Sequence, residues 1–234
     1  MKKALFILLF TGVLCPVFTC VSQETYTFKE GDRYGTGKWY MGREIAHVMG
    51  FTGIDWLERP EREREENTAM LLMNMDIGPN DTIADIGAGS GYHVFKMAPR
   101  ATNGLVYAVD IQDEMLLTIQ QNKKKKGIKN VEVVKGSEQS VNLSENSVDK
   151  ILMVDVYHEF SDPVAMLSSI TKALRPNGKL FLIEYRAEDP LVPIKRVHKM
   201  SEAQAVKEME AAGLHLERNI NNLPWQHCMV FVKK

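Results

Sequence analysis

Cysteine is scarce in this chain. Three occur in 234 residues, Cys15, Cys20 and Cys228, too few and too scattered for a disulfide framework. The six histidines and three cysteines form no His-x-x-x-His or Cys-x-x-Cys spacing, so no metal set is expected from local sequence. An excess of either charge is lacking as well. Lys and Arg number 29 against 30 Asp and Glu, a formal net charge of -1, which excludes the broad basic field of a nucleic-acid binder. No repeat or low-complexity segment interrupts the chain. The apolar run 4–14 is shorter than the ~20 residues a membrane-spanning helix requires. What remains is 44% hydrophobic and 25% charged, the composition of one soluble α/β domain with a sizeable core.

The first residues carry the pattern of an export signal. Lys2 and Lys3 precede the apolar run, Pro16 breaks it, and Ser22, two after Cys20, allows cleavage ahead of Gln23. The expected organisation is a signal peptide over 1–22, an N-terminal lid over 23–75 and the main domain over 76–234, in an exported, periplasmic protein. An uncleaved anchor and a lipid anchor on Cys20 are the alternatives. Cleavage would leave Cys228 as the sole thiol.

Beyond the polar 23–33 segment, glycines alternate with aromatics and bases from Tyr34 to Arg43. A short helix is expected next, with Ile45, Val48 and Met49 on one face and Tyr40, Arg43 and His47 on the other. Pro60 suits the first turn of a further helix. Its alternating charges, Arg62 and Glu66 among them, fit a solvated face laced with ion pairs. The competing reading turns Arg59, Arg62 or Glu65 toward an active-site mouth. From Asn80 onward strands and helices alternate. Strands are expected over 82–86, 105–111, 131–135, 150–156 and 179–185, and helices over 92–98, 114–126, 163–174 and 201–212. Lys123 to Lys126 close the second of these helices, where cations suit the negative dipole end. Two strands, 214–220 and 226–233, finish the chain as a hairpin. Such alternation implies a doubly wound, mostly parallel sheet with helices on both faces.

The first strand runs into Asp85-Ile86-Gly87-Ala88-Gly89-Ser90-Gly91. Alternate glycines permit positive φ and remove the Cβ atoms that would hold a ligand away. In an open α/β sheet, ligands sit at the carboxyl ends of the strands. The second strand ends at Asp110 and Ile111, where an acid can accept bonds from ribose hydroxyls. Ser137 and Glu138 follow the third strand, within reach of an adenine amino group. The fourth runs into Asp155-Val156-Tyr157-His158-Glu159. The dinucleotide fingerprint is G-x-G-x-x-G, whereas this turn reads G-x-G-x-G with an acid two residues ahead. An acid there repels pyrophosphate and suits an ammonium. Ribose, adenine and an amino-acid ammonium together describe S-adenosylmethionine.

These residues resemble the class I S-adenosylmethionine-dependent methyltransferases. The Asp85 to Gly91 turn is similar to the family's first motif, Asp110 to its ribose acid, and Leu174-Arg175-Pro176-Asn177-Gly178-Lys179-Leu180 to its turn before strand five. The resemblance implies a seven-stranded sheet of order 3-2-1-4-5-7-6 with the last strand antiparallel, under an N-terminal helical lid. Gly42-Arg43 and Trp56-Leu57-Glu58-Arg59-Pro60 resemble a group of exported bacterial methyltransferase-domain proteins. The cofactor implied is S-adenosylmethionine, held by Asp85, Gly87, Ala88, Gly89, Gly91, Asp110, Ile111, Ser137, Glu138 and Asp155. Tyr157, His158 and Glu159 sit where the family lines its acceptor site, with His158 either a general base or a residue that orients the loop. The segment after strand five, with Lys195, Arg196, His198 and Lys199, joins the 34–66 segment as a lid. The partner expected is a small-molecule acceptor, anionic if the basic loop faces it, with no nucleic acid and no stable membrane span. A catalytically silent nucleoside-binding protein of the same fold is the alternative, and an NAD-dependent oxidoreductase a third reading.

Overall fold

The computed structural model describes residues 24–233. The expected signal peptide therefore lies outside the described residues. Among the described residues no helix is long and apolar enough to cross a membrane.

The segment before the main sheet departs from expectation. It holds a three-stranded antiparallel sheet of β1 (Tyr26–Phe28), β2 (Gly35–Tyr40) and β3 (Arg43–Ala46), where a helix was expected from Tyr40 onward. The reason is the two-residue turn between β2 and β3. Met41 and Gly42 both take positive φ, 49° and 100°, the backbone a tight type I′ hairpin turn requires. Tyr40 then pairs with Arg43 across the strands. Three short helices follow: α1 (Ile54–Leu57), α2 (Arg62–Glu66) and α3 (Thr68–Asn74). The expected continuous helix from Pro60 breaks at Asn67, which adopts φ 52° and caps α3 by accepting from the Met70 amide at 3.1 Å.

The remaining strands are β4 (Thr82–Ile86), β5 (Leu105–Asp110), β6 (Val131–Lys135), β7 (Val148–Val154), β8 (Leu174–Tyr185), β9 (Leu214–Asn219) and β10 (Gln226–Lys233). They form one seven-stranded sheet, ordered β6-β5-β4-β7-β8-β10-β9. The pairs from β6 to β8 are parallel, and β10 runs antiparallel to both β8 and β9. This is the expected order with its reversed last strand. The helices between strands are α4 (Val94–Met97), α5 (Asp113–Lys126), α6 (Pro163–Ala173) and α7 (Glu202–Ala211).

Strand alternation sends neighbouring apolar residues into two separate cores. Ala84, Ile151 and Met153 pack on one face with Leu167, Ile170 and Met209 of α6 and α7. Ile83 and Leu152 pack on the other with Leu71, Met97 and Ile119 of α3, α4 and α5. Because the chain leaves β4 for β5 on one side and reaches β7 on the other, a cleft opens at the carboxyl end of β4.

The hairpin is bolted to this sheet by buried charge. Arg43 makes a two-pronged pair with Glu208 of α7, Nε to Oε1 and Nη2 to Oε2 both at 2.9 Å, and its Nη1 donates to the His158 carbonyl at 3.1 Å. Glu208 is wholly buried and also accepts from the Tyr157 hydroxyl at 2.7 Å. Removing one partner of such a pair strands the other charge. Arg43→Ala is therefore expected to lower stability by about 3–5 kcal/mol, read from urea unfolding; a loss under about 1 kcal/mol would contradict the assignment.

Candidate active site

The glycine turn is tied to its neighbouring strand. The amides of Gly87 and Ala88 donate to the Val109 carbonyl at 2.8 and 3.0 Å. The Gly89 amide donates to Asp110 Oδ2 at 2.9 Å, and the Gln112 amide donates to Oδ1 at the same distance. Gly87 and Gly89 take positive φ, 74° and 55°. A Cβ on Gly87 would overlap Val156, and one on Gly89 would come within 2.6 Å of Leu57 from α1. The turn is thus closed beneath by β7's exit loop and above by the N-terminal segment.

A cavity of about 470 Å³ lies at this carboxyl edge. Of the expected cofactor residues, Gly87, Gly89, Asp110, Ile111, Ser137, Glu138 and Asp155 line it. Ala88 and Gly91 shape the turn from behind, Gly91 through its amide bond to the Ala88 carbonyl at 2.9 Å. Asp85 also stands behind the lining, 2% exposed, with Oδ2 lacking a hydrogen-bond partner. Asp155, by contrast, does line the cavity. Its Oδ2 accepts from Gln226 at 2.6 Å while its enclosed Oδ1 has no partner. Burial pushes the Asp155 carboxyl well up, and the neighbouring Glu66 and Glu184 charges push it further. Burial likewise raises Asp110, against the amide donors Gln112 and Gly89 that favour its ionised form.

The three residues expected at the acceptor end occupy one turn of 3₁₀ helix, Tyr157–Glu159, yet point apart. Tyr157 is fully buried against Glu208 and does not line the cavity, a correction to its expected place beside the acceptor. His158 and Glu159 do line it. His158 Nδ1 lies 2.6 Å from Glu184 Oε2, and its Nε2 lies 3.1 Å from His198 Nδ1. The expectation of no metal set rested on local spacing. The fold instead gathers donor atoms of His158, Glu159 and His198 within 4.8 Å of one another.

Both segments expected to form a lid contribute residues to the cavity. From the N-terminal side come Val48, Met49, Trp56, Leu57, Arg59 and Arg62, and from the loop after β8 come Pro193, Ile194, Lys195 and His198. Arg62 is buried rather than solvated. It pairs with Glu66 at 2.7 Å, donates to the Leu57 carbonyl at 2.8 Å and sits over the Tyr92 ring at 4.3 Å. Arg59 is bound to Glu65 and Glu66. Glu65 itself stays outside the lining, and Lys199 turns away to the carbonyls of Asp189 and Val192. Sequence reasoning missed Glu66 and Glu184. The signal for Glu184 was present: a charged residue inside the apolar run Leu180 to Tyr185.

The residues fit a nucleoside with a cationic amino-acid end. Asp110 stands at the ribose position with two amides fixing it, and Asp155, beside the glycine turn, keeps Oδ1 without a partner.

Comparisons with known proteins agree with this geometry. The family described as Methyltransferase domain matches residues 77–228. A solved S-adenosylmethionine-dependent methyltransferase from Aquifex aeolicus superposes with a TM-score of 0.74 at 26% identity, over 79% of this chain and 98% of that one. The uncharacterized methyltransferase YcgJ of Bacillus subtilis is 23% identical over 164 residues, which are 69% of this chain and 64% of that protein. The tRNA U34 carboxymethyltransferase of Pseudoalteromonas translucida is 29% identical over 68% of this chain, which spans only 51% of that protein.

Burial, opposed by Arg62 and reinforced by Asp110, raises the Asp85 carboxyl to about 7. An acid whose folded value exceeds its unfolded one (~3.9) binds more protons when folded. Ligand-free stability is then lost as pH rises from about 4 to about 7. Asp85→Asn is expected to be more stable than the parent near pH 8 by on the order of 2 kcal/mol, with the gain gone near pH 4. Urea titrations at the two pH values check this; an equal difference at both would contradict it.

Proposed function

The chain belongs to the class I S-adenosylmethionine-dependent methyltransferases, and on that premise we propose that it methylates a small-molecule acceptor received between its two lid segments. One observation carries this reading. A single cavity runs from Asp110 and the glycine turn to His158, Glu159 and His198, so a nucleoside site and a polar corner share one enclosed space.

S-adenosylmethionine, when bound, supplies an electrophilic methyl group on a sulfonium that leaves as a neutral thioether. The chain's own task is positioning and exclusion of water. Asp110, held by the Gly89 and Gln112 amides, accepts the ribose hydroxyls. Ser137 and Glu138 meet the adenine edge. Asp155 receives the ammonium, and Asp85 adds its field from behind the turn. Met115, Val141, Phe160 and Met166 supply apolar wall. Alignment of reacting atoms in such a site can contribute ~7–11 kcal/mol.

The cavity lining carries three Lys and Arg side chains, Arg59, Arg62 and Lys195. Arg59 and Arg62 are neutralised by Glu65 and Glu66, which leaves Lys195, stacked over Tyr34 at 3.6 Å, to meet an acceptor carboxylate or phosphate. This favours a small acceptor with one anionic group over RNA, which demands many phosphate contacts.

Mass spectrometry of acceptor pools incubated with methyl-labelled S-adenosylmethionine tests the reading. Label is expected in a small molecule, and Asp110→Ala is expected to raise the KM for S-adenosylmethionine roughly tenfold to hundredfold through the loss of charged hydrogen bonds. Label confined to RNA, or an unchanged KM, would contradict it.

A further inference from the structure

Two histidines and a carboxylate converge at the acceptor end of the cavity from separate parts of the chain. His158 and Glu159 come from the turn after β7, and His198 from the 3₁₀ turn Arg196–His198 after β8. His158 Nε2 and His198 Nδ1 are 3.1 Å apart, and Glu159 Oε1 lies 3.8 Å from each. Ligand atoms about 2.0–2.2 Å from one ion stand roughly 3–4 Å from one another. The three separations therefore describe one face of a coordination sphere. We propose that His158 Nε2, His198 Nδ1 and Glu159 Oε1 bind a divalent transition-metal ion of the zinc class, with an open position toward the acceptor.

The surroundings favour this over a simple histidine pair. Glu184 is wholly buried, and its Oε2 lies 2.6 Å from His158 Nδ1. Its Oε1 accepts the amides of Tyr157 and His158 at 3.0 and 3.3 Å. The carboxylate therefore holds the proton on Nδ1 and turns the Nε2 lone pair toward the cavity. A carboxylate behind a ligating histidine is the usual support of a metal site. Glu159 is fixed as well, its Oε1 accepting the Met49 amide at 3.2 Å from the N-terminal segment. The ligands are thus oriented by groups outside the set. Two imidazoles with one carboxylate suit zinc, iron or cobalt over magnesium or calcium, which prefer oxygen. The residues line the cavity, so its interior faces the fourth position.

The site's role rests on the methyl-transfer reading. An acceptor hydroxyl or thiol would place its oxygen or sulfur on the ion. Its X–H bond would break heterolytically there, the electron pair staying on X and the proton passing to solvent. The ion lowers the pKa of what it binds, so no separate general base is needed.

The full chain, stripped with a chelator and titrated with cobalt(II) alone, tests the proposal. One equivalent per chain is expected, with the visible absorption of a four- or five-coordinate ion. Zinc(II) alone is expected to displace it. His198→Ala and Glu159→Gln are each expected to weaken uptake more than tenfold while circular dichroism and S-adenosylhomocysteine binding stay as in the parent. Glu184→Gln, which leaves the three ligands in place, is expected to weaken it ~10–100-fold. The absence of stoichiometric uptake, or uptake unchanged in both ligand variants, would overturn the site. Calorimetry with S-adenosylhomocysteine on the same stripped chain reads the cofactor end independently. Its failure would count against the methyl-transfer reading, whereas cobalt uptake alone decides the metal.

Discussion

Buried negative charge at one edge of the sheet is the constraint on which the rest of the site depends. Asp85, Asp110, Asp155, Glu159 and Glu184 gather where β4, β5, β7 and β8 end. Isolated carboxylates in such a place are costly unless they are hydrogen-bonded, paired or protonated. Each finds a different solution. Asp110 takes two backbone amides, Glu184 takes two amides and a histidine, and Glu159 takes an amide from the lid. Asp85 and Asp155 each keep an oxygen with no partner. A cationic ligand in the cavity that Asp155 lines would balance these two.

The same constraint explains why the N-terminal segment belongs to the site rather than decorating it. Arg62 reaches in from α2 and lowers the cost of ionising Asp85 and Asp155. Arg43 neutralises Glu208 and holds the carbonyl of His158. Met49 positions Glu159, and Leu57 covers the turn at Gly89. A hairpin and three short helices thus supply cations and walls that the sheet's edge does not supply itself. Stability and site geometry are coupled through these contacts, so removing Arg43 or Arg62 disturbs both.

Much of the main sheet was legible in the sequence. Strands buried on both faces are short apolar runs between turns, which is why β4 and β10 were bounded correctly. The strand order came from the closing hairpin and the resemblance, not from periodicity. The N-terminal sheet was misread because Tyr40, Arg43 and His47 also match helical spacing, and Met41-Gly42 lacks the Asn-Gly or Asp-Gly of a strong hairpin signal. Adjacent letters also misled at Tyr157-His158-Glu159. One turn of 3₁₀ helix sends the tyrosine into the core and its neighbours into the cavity. Arg62 was left between a solvated helix face and an active-site mouth, the second of which its place in the lining fits, because nothing local reveals a tertiary partner such as Tyr92. The His158, Glu159 and His198 cluster was invisible to spacing rules because forty residues separate its two histidines.

The central claim is that the cavity at the end of β4 is a site for a sulfonium nucleoside. Calorimetry of the intact chain with S-adenosylmethionine, S-adenosylhomocysteine and NAD at one pH tests it most directly. The account predicts one-to-one binding of the first two and none of NAD. Binding of NAD, or of neither S-adenosyl compound, would contradict it.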